Sequence, residues 1–260
     1  MATLIATEEL KAPGPGDRAL VPVYVWEFPV RFAHWMLVLS LIVLTVTGFY
    51  MHRPFFEAHG SRAWVMGTVR FVHELFGFIL IAALLLRFYW FFAGNRWAHW
   101  RALLPITKRQ WTGAASMAKF YAFLRREPIP EIGHNPLAAM AYLAVLLLLV
   151  TECLTGLILY SVVSQSRVLT YFLGWIPRLV DIQYIRLAHY LIMFSFMAFL
   201  IHHVYSAVLV AIEQRNGLME SIFSGWKFVP QRLLMDDSRI GSRTSSGRLF
   251  FRSTLRGRVK

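Results

Sequence analysis

Four apolar stretches dominate the sequence, and each is long enough to cross a bilayer. The first contains His34 but no Asp, Glu, Lys or Arg, Glu152 alone interrupts the third, and the fourth contains no charged residue apart from histidines. About 20 helical residues span a hydrocarbon core of about 30 Å. The stretches run from Phe32 to Met51, from about Phe71 to Trp90, from Leu137 to Val163 and from Leu187 to Ile212.

Composition supports an integral membrane protein. Hydrophobic residues make up 57% of the chain and charged residues 16%, where soluble domains carry roughly a quarter charged residues. The backbone must satisfy its own hydrogen bonds inside a bilayer, so the stretches predict an all-α, four-transmembrane-helix up-and-down bundle. The single cysteine, Cys153, excludes an intramolecular disulfide, an iron–sulfur cluster held by four cysteines and a haem attached through C-x-x-C-H.

Basic residues are distributed unevenly between the two sides of this bundle. The N-terminal tail (1–31), the central loop (95–134) and the C-terminal tail (213–260) hold 20 Lys and Arg residues, whereas the loops 52–72 and 162–186 hold 6. Cytoplasmic segments of membrane proteins carry the excess of basic residues. We therefore expect both termini to be cytoplasmic.

The predicted organisation is one membrane domain, residues 29–230, between a cytoplasmic N-terminal tail, residues 1–28, and a basic C-terminal tail, residues 231–260. The segment from Arg239 to Lys260 is rich in Arg and Ser and has little apolar periodicity, which predicts disorder. The formal net charge of +13 would suit nucleic acid or anionic lipid. Contact of the tail with lipid is the simpler interpretation, so no nucleic-acid partner is expected.

Four histidines lie at membrane depth, where polar side chains are costly and usually functional. They are His34, His73, His189 and His203. His189 and His203 are 14 residues apart, so one helix presents both on nearly the same face, about 21 Å apart along its axis. His202 points about 140° away from His189, which makes His203 the better partner.

Helix direction pairs these histidines by depth. The first helix starts on the cytoplasmic side, so His34 lies level with His203; the second starts on the outer side, so His73 lies level with His189. Neutral imidazoles on both faces of an iron are typical of b-type haem. The four residues therefore predict two non-covalent haems b with bis-histidine axial ligation. A zinc site is a weaker interpretation, because each pair lacks a third ligand.

Three of the histidines follow an arginine by three residues, so the arginine lies on the same helix face, one turn nearer the water. These arginines are candidate partners of the haem propionates, and Arg87, at the depth of the inner haem, is a fourth. The alternative is that the helix-end arginines reach lipid headgroups. The three pairs are Arg31–His34, Arg70–His73 and Arg186–His189.

Other histidines leave alternatives open. His52 is five turns from His34 and competes for the outer site, but the adjoining Arg53 and Pro54 favour a loop. His134 is an alternative to His203 as ligand of the inner haem. The remaining two fall in predicted surface loops and are His59 and His99.

Several segments resemble, in the same order, the b-type cytochrome subunit of membrane-bound nickel–iron uptake hydrogenases. The resemblance covers residues from about 23 to 230 and leaves out both tails. The four predicted ligands fall where that family places its haem ligands. The resembling segments run from Tyr24 to Trp35, from Arg87 to Arg96, from Ile132 to Pro136 and from His203 to Ala207.

This resemblance implies an electron-transport subunit of a respiratory chain in the bacterial cytoplasmic (inner) membrane, with no catalysis of its own. Its partners would be the small iron–sulfur and large nickel–iron subunits of the hydrogenase, which it would anchor to the bilayer. Electrons would enter at the outer haem, pass to the inner haem and reduce a membrane quinone.

Quinone reduction near the inner haem would take protons from the cytoplasm, where Gly133-His134-Asn135-Pro136 opens the third helix. His134 is a candidate proton donor, and Asn135 is a second quinone-site candidate. The alternative is a helix-entry turn with Asn135 as cap and Pro136 in the first turn. Glu152 lies 18 residues deeper than His134, near the outer haem, and is a poor candidate for this site.

Three other functions compete with this interpretation. The same scaffold could serve another periplasmic oxidoreductase, such as formate dehydrogenase. A transporter with a histidine proton relay is a different class, but the sequence shows neither an inverted repeat nor a pair of broken helices. A passive anchor without a cofactor would not explain the matched depths of the histidines.

Overall fold

The structure is a computed structural model that describes residues 20–55, 64–104, 107–231 and 233–234. The chain divides into two compact units, one formed by Tyr24–Lys227 and the other by Met1–Val23 with Phe228–Lys260. All predicted site residues belong to the larger unit. The predicted disorder beyond Arg239 and the predicted surface position of His59 lie outside the described residues.

The larger unit is helical. Its helices are α1 (Phe28–His52), α2 (Val65–Ala93), α3 (Lys108–Tyr121), α4 (Pro136–Val163), α5 (Arg167–Leu173), α6 (Ile176–Leu179), α7 (Ile182–Gln214) and α8 (Leu218–Ser224). Four of them, α1, α2, α4 and α7, are long and apolar enough to cross a membrane. Among these four, α1 packs on α2, α2 on α4 and α4 on α7. The prediction of four helical spans is confirmed, and the sidedness of the termini stays a prediction.

The long helices begin before the apolar stretches do, because first turns tolerate polar and special residues. Pro29 lies in the first turn of α1, where the missing N–H costs nothing. Asp181 caps α7, its carboxylate accepting from the Gln183 amide at 2.8 Å. At the other end of α1, the expectation of a loop at His52 is wrong. His52 closes the helix, since the chain leaves helical geometry only at Arg53, the residue before a proline.

Short elements that the apolar pattern did not predict occupy the loops. α3 lies in the central loop and starts with a capping box formed by Thr107 and Gln110. A turn of 3-10 helix (Trp100–Ala102) precedes it. Two strands, β1 (Leu20–Tyr24) and β2 (Trp226–Pro230), pair in a two-stranded sheet. These elements are short or amphipathic, so a search for long apolar runs passes over them.

We name the two ends of the bundle after the first and last residues of α1. The Phe28 end also holds the end of α2 at Ala93, the start of α4 at Pro136 and the end of α7 at Gln214. The His52 end holds the opposite termini of the same helices. Helices of alternating direction therefore bring residues from distant parts of the sequence to one level.

A buried apolar core separates the two ends of the bundle. Side chains from α2, α4 and α7 form its centre, and leucines of α1 pack against it. It excludes water from the middle of the bundle. The buried centre consists of Leu80, Leu84, Leu149 and Phe196.

Candidate haem sites

The structure brings His73 of α2 and His189 of α7 together near the His52 end. Their ring centroids are 6.4 Å apart and the ring planes are inclined by 67°. The two residues are far apart in the sequence, and they reach the same level because α2 and α7 run in the same direction and each histidine lies near the start of its helix.

The same arrangement occurs near the Phe28 end between His34 of α1 and His203 of α7. These ring centroids are also 6.4 Å apart, with the planes inclined by 51°. The ring of His203 stacks on Phe199, one turn earlier on α7, at 5.3 Å. Trp35 meets the His34 ring edge-on at 5.2 Å.

Both separations fit a metal bound between two imidazoles. With metal–nitrogen bonds of about 2 Å and a ring centre about 1 Å behind each nitrogen, two rings on opposite sides of one metal have centres about 6 Å apart. Across the described residues, no group of three or more His, Cys, Asp and Glu side chains gathers to hold a metal ion, and a zinc site would require such a group.

Threonine hydroxyls fix the tautomers at the His52 end. Thr47 Oγ1 lies 2.8 Å from His73 Nδ1 and donates its proton to the Val43 carbonyl at 2.7 Å. A hydroxyl has one proton, so Thr47 accepts from the Nδ1–H of His73. Nε2 then keeps its lone pair, which is the form that ligates a metal.

Thr155 of α4 plays the same part for His189. Its Oγ1 lies 2.9 Å from His189 Nδ1 and donates to the Thr151 carbonyl at 3.0 Å. The carboxyl of Glu152 also faces this nitrogen, with Oε2 3.4 Å from Nδ1. Both imidazoles at this end are therefore held, by groups on neighbouring helices, in the tautomer that leaves Nε2 free. Sequence reasoning placed Glu152 at this level but considered it only as a quinone contact.

The arginines expected near the propionates occupy different surroundings. Arg70 is exposed. Arg186 is exposed and donates to the Gln183 side chain at 2.9 Å. Arg31 donates from Nη1 to the Phe223 carbonyl, while its Nε is buried without a partner among the described residues. The propionate role of these residues stays a prediction.

Arg87 is buried, with 3% of its surface exposed. It donates to the Tyr142 hydroxyl at 2.7 Å and, through both terminal nitrogens, to the Ala98 carbonyl at 3.2 and 3.1 Å. Its guanidinium also lies over the Phe91 ring, 4.2 Å from the centroid. Arg87 thus joins α2 to α4 and to the loop that follows α2, at the Phe28 end.

The competing histidines have aromatic partners. His52 stacks on Tyr190 with centroids 4.3 Å apart, and His202 lies 6.0 Å from the Tyr121 ring. His99 caps the 3-10 turn, its Nδ1 accepting from the Arg101 amide at 3.3 Å. His134 packs against Trp26 at 4.8 Å and against Tyr142.

His134 and Asn135 begin α4 next to the His34–His203 pair. Burial and the positive charges of Arg87 and Lys227 lower the pKa of His134 to about 3, so its imidazole is neutral at physiological pH. Its Nδ1 is buried and has no hydrogen-bond partner among the described residues. Asn135 Oδ1 accepts from the Ala138 amide at 2.8 Å, so this residue does cap the helix.

Two further polar residues at the Phe28 end were missed by sequence reasoning. Lys227 is 2% exposed and donates from Nζ to the Glu131 carbonyl at 2.7 Å, and burial lowers its pKa to about 8. Glu27 Oε2 accepts from Trp90 Nε1 and from the Asn95 amide, both at 2.8 Å. Glu27 and Asn95 lie in segments that carry the family resemblance, but the sequence alone does not show that they meet.

A helical bundle with four candidate spans and two facing histidine pairs is the arrangement typical of a membrane cytochrome of the b type. The chain belongs to the family described as prokaryotic cytochrome b561, whose model matches residues 25–225. This membership implies a b-type haem and a role in membrane electron transfer. It agrees with the class predicted from the sequence.

Relatives with similar sequences carry hydrogenase names. The chain is 35% identical to a "Probable Ni/Fe-hydrogenase B-type cytochrome subunit" of Rhodobacter capsulatus, over 80% of this chain and 82% of that protein. It is 32% identical to a "Probable Ni/Fe-hydrogenase 1 B-type cytochrome subunit" of Escherichia coli K12, over 80% of this chain and 92% of that protein. A protein of Rhizobium leguminosarum with the same name as the R. capsulatus protein is 34% identical, over 86% of this chain and 98% of that protein.

Proposed function

We propose that this chain is the b-type cytochrome subunit of a nickel–iron hydrogenase and carries electrons from the hydrogenase to the membrane quinone pool through two haems b. One observation carries the proposal. Two histidine pairs with the same ring separation, 6.4 Å, lie at two levels of one bundle. Haem supplies one-electron chemistry when bound.

The proposed orientation places both termini in the cytoplasm and the His52 end outside the cytoplasmic (inner) membrane. The excess of basic residues in the tails and the central loop supports it. The His73–His189 pair is then the outer site, which receives electrons from the iron–sulfur small subunit. The His34–His203 pair is the inner site. The large nickel–iron subunit would be anchored through the small subunit.

Each part of the chain has a task in this scheme. The four histidines hold iron through Nε2, and Thr47 with Thr155 keeps two of them in the required tautomer. The apolar core between the sites excludes water. Arg31, Arg70 and Arg186 stay candidates for the propionates at the helix ends.

We place the quinone beside the inner site, at His134. The buried Nδ1 of His134 lacks a partner among the described residues, and a buried polar nitrogen requires one. Because the imidazole is neutral at physiological pH, it would hydrogen-bond a quinone oxygen rather than store a proton. Asn135 would position the start of α4 at this site through its cap.

Hydrogen-driven reduction tests the proposal in membranes that contain the chain with its hydrogenase partner subunits. Under anaerobic conditions, hydrogen should reduce haem b and then an added quinone. In His203→Ala, hydrogen should still reduce the remaining haem, but quinol formation should fall at least about tenfold because an axial ligand is lost.

The matched control is His202→Ala, which removes the neighbouring imidazole that lies against Tyr121. This variant should reduce quinone at the parental rate. Haem that responds to formate and not to hydrogen would favour the formate dehydrogenase alternative. Quinol formation that continues unchanged in His203→Ala would refute the proposed route.

A further inference from the structure

The two histidine pairs differ in what faces the nitrogens that do not bind metal. At the His73–His189 pair, each Nδ1 lies within 2.9 Å of a threonine hydroxyl oxygen, and the Glu152 carboxyl also faces His189. At the other pair, the Nδ1 of His34 is buried and has no hydrogen-bond partner among the described residues.

Glu152 lies where a carboxyl group is costly. It is the only charged residue in the 28 residues of α4, and 12% of its side-chain surface is exposed. Carboxyl groups at membrane depth are rare and usually functional. Its Oε2 lies 3.4 Å from His189 Nδ1 and has no hydrogen-bond partner among the described residues.

A hydrogen-bond acceptor at Nδ1 changes the metal-binding nitrogen of the same ring. As the Nδ1–H is drawn toward an oxygen, the imidazole gains electron density and becomes a more basic ligand. A more basic ligand stabilises ferric iron over ferrous iron, which lowers the reduction potential. The Thr155 hydroxyl accepts this proton, and the Glu152 carboxyl oxygen, 3.4 Å from the same nitrogen, adds to the polarisation electrostatically because its oxygen is the negative end of the group.

We propose that Glu152, together with Thr155, is a positioning residue that sets the outer haem site below the inner one in reduction potential. This inference rests on the proposed function, since it assumes iron at both pairs. The step concerned is the transfer of one electron from the outer site, which is oxidised, to the inner site, which is reduced, and no bond is made or broken. The polar groups around His189 thereby direct electrons inward.

Potentiometric titration of the purified protein tests this inference without any enzyme activity. The parental protein should show two one-electron potentials, and the lower one should disappear in His73→Ala, which assigns it to the outer site. Glu152→Gln and Thr155→Val should each raise the lower potential and leave the higher one in place. A tenfold change in the preference for ferric iron corresponds to about 59 mV for one electron.

Thr151→Val is the matched control. It makes the same substitution one turn earlier on α4, at an exposed threonine whose hydroxyl donates to the Leu147 carbonyl at 2.9 Å. Both potentials should stay at their parental values. Thr155→Ser, which keeps a hydroxyl, should restore the lower potential. If Glu152→Gln does not accumulate, Thr155→Val and Thr155→Ser decide the question alone.

The outcomes separate this inference from the proposed function. If the protein binds two haems and neither potential changes in either variant, or both potentials shift by the same amount, the role of Glu152 is overturned. The proposed function would still stand. The inference also fails if the higher potential is the one lost in His73→Ala. A protein that binds no haem, or one haem, would instead remove the two-site scheme itself.

Discussion

The two ends of the bundle hold histidine pairs at the same ring separation but support them differently. At the His52 end, threonine hydroxyls from neighbouring helices hydrogen-bond the imidazoles, and the Glu152 carboxyl lies 3.4 Å from one of them. At the Phe28 end, the described contacts of the His203 ring are aromatic, and the buried polar groups lie beside the pair in the loops and helix ends. Two histidine pairs of the same geometry therefore lie in two different electrostatic environments.

Position along the helices explains this difference. The His73–His189 pair lies inside long helices, where side chains of the neighbouring helices reach the imidazoles. The Phe28 end adjoins the central loop, whose backbone carbonyls accept from two buried cations, Arg87 of α2 and Lys227 of β2. In the proposed function, the first pair is therefore suited to tuning a bound haem, and the second lies where a quinone would meet polar groups.

The first way to sharpen this contrast is to remove the buried cation Arg87. Arg87→Gln should destabilise the protein by about 3 kcal/mol, because Tyr142 and the Ala98 carbonyl lose buried hydrogen bonds to a charged group. The free energy of unfolding in detergent measures this effect. Arg178→Gln, at an exposed arginine, should change it little. Equal stability of the two variants would show that Arg87 does not hold the Phe28 end together.

A second test uses the pH dependence of Lys227. Its pKa of about 8 in the folded protein lies below the ordinary 10.5, so between these pH values the unfolded chain binds a proton that the folded chain has released. The free energy of unfolding should therefore rise with pH across this window, by up to about 3 kcal/mol. Below pH 8 this contribution should be flat.

Lys227→Met should remove that rise, while Lys119→Met, at an exposed lysine, should keep it. Thermal unfolding at pH values from 7 to about 10.5 provides the comparison. A parental protein with a flat profile across the window would mean that Lys227 is solvated and not buried in the way the structure describes.

The smallest expected effect concerns Glu27, which joins the start of α1 to the end of α2. Glu27→Gln keeps an acceptor oxygen but removes the charge that strengthens its bonds to Trp90 and Asn95. We expect a loss of about 1 kcal/mol in the free energy of unfolding. Glu127→Gln, at an exposed glutamate, is the matched control. A loss of equal size in both variants would contradict a specific role of Glu27.

Much of this architecture was predictable because two simple features of the sequence determine it. Apolar length located the four spans, and helix direction with the 14-residue spacing paired His34 with His203 and His73 with His189. Both arguments use only distances along one helix and the alternation of helix direction. His52 was misplaced because Arg53 and Pro54 end the helix one residue later than expected.

What the sequence did not predict depends on how each helix is rotated about its own axis, because this rotation decides which side chains face a neighbouring helix. Thr47 and Thr155 look like ordinary membrane threonines, and only packing shows that their hydroxyls face a histidine. Glu152 did carry a signal, as a lone carboxyl at the level of His189, but it was weighed only for a site on the other side. Lys227 gave no signal, since it follows the last span and is buried by distant loops.

The central claim is that each histidine pair holds one haem b, and haem quantification tests it most directly. The purified protein should give two non-covalent haems b per chain as pyridine complexes, with a matching dithionite-reduced minus oxidised spectrum. His73→Ala and His203→Ala should each leave one haem, whereas His52→Ala, which removes a ring stacked on Tyr190, should leave two. One haem or none in the parental protein, or loss of a haem in His52→Ala, would contradict the account.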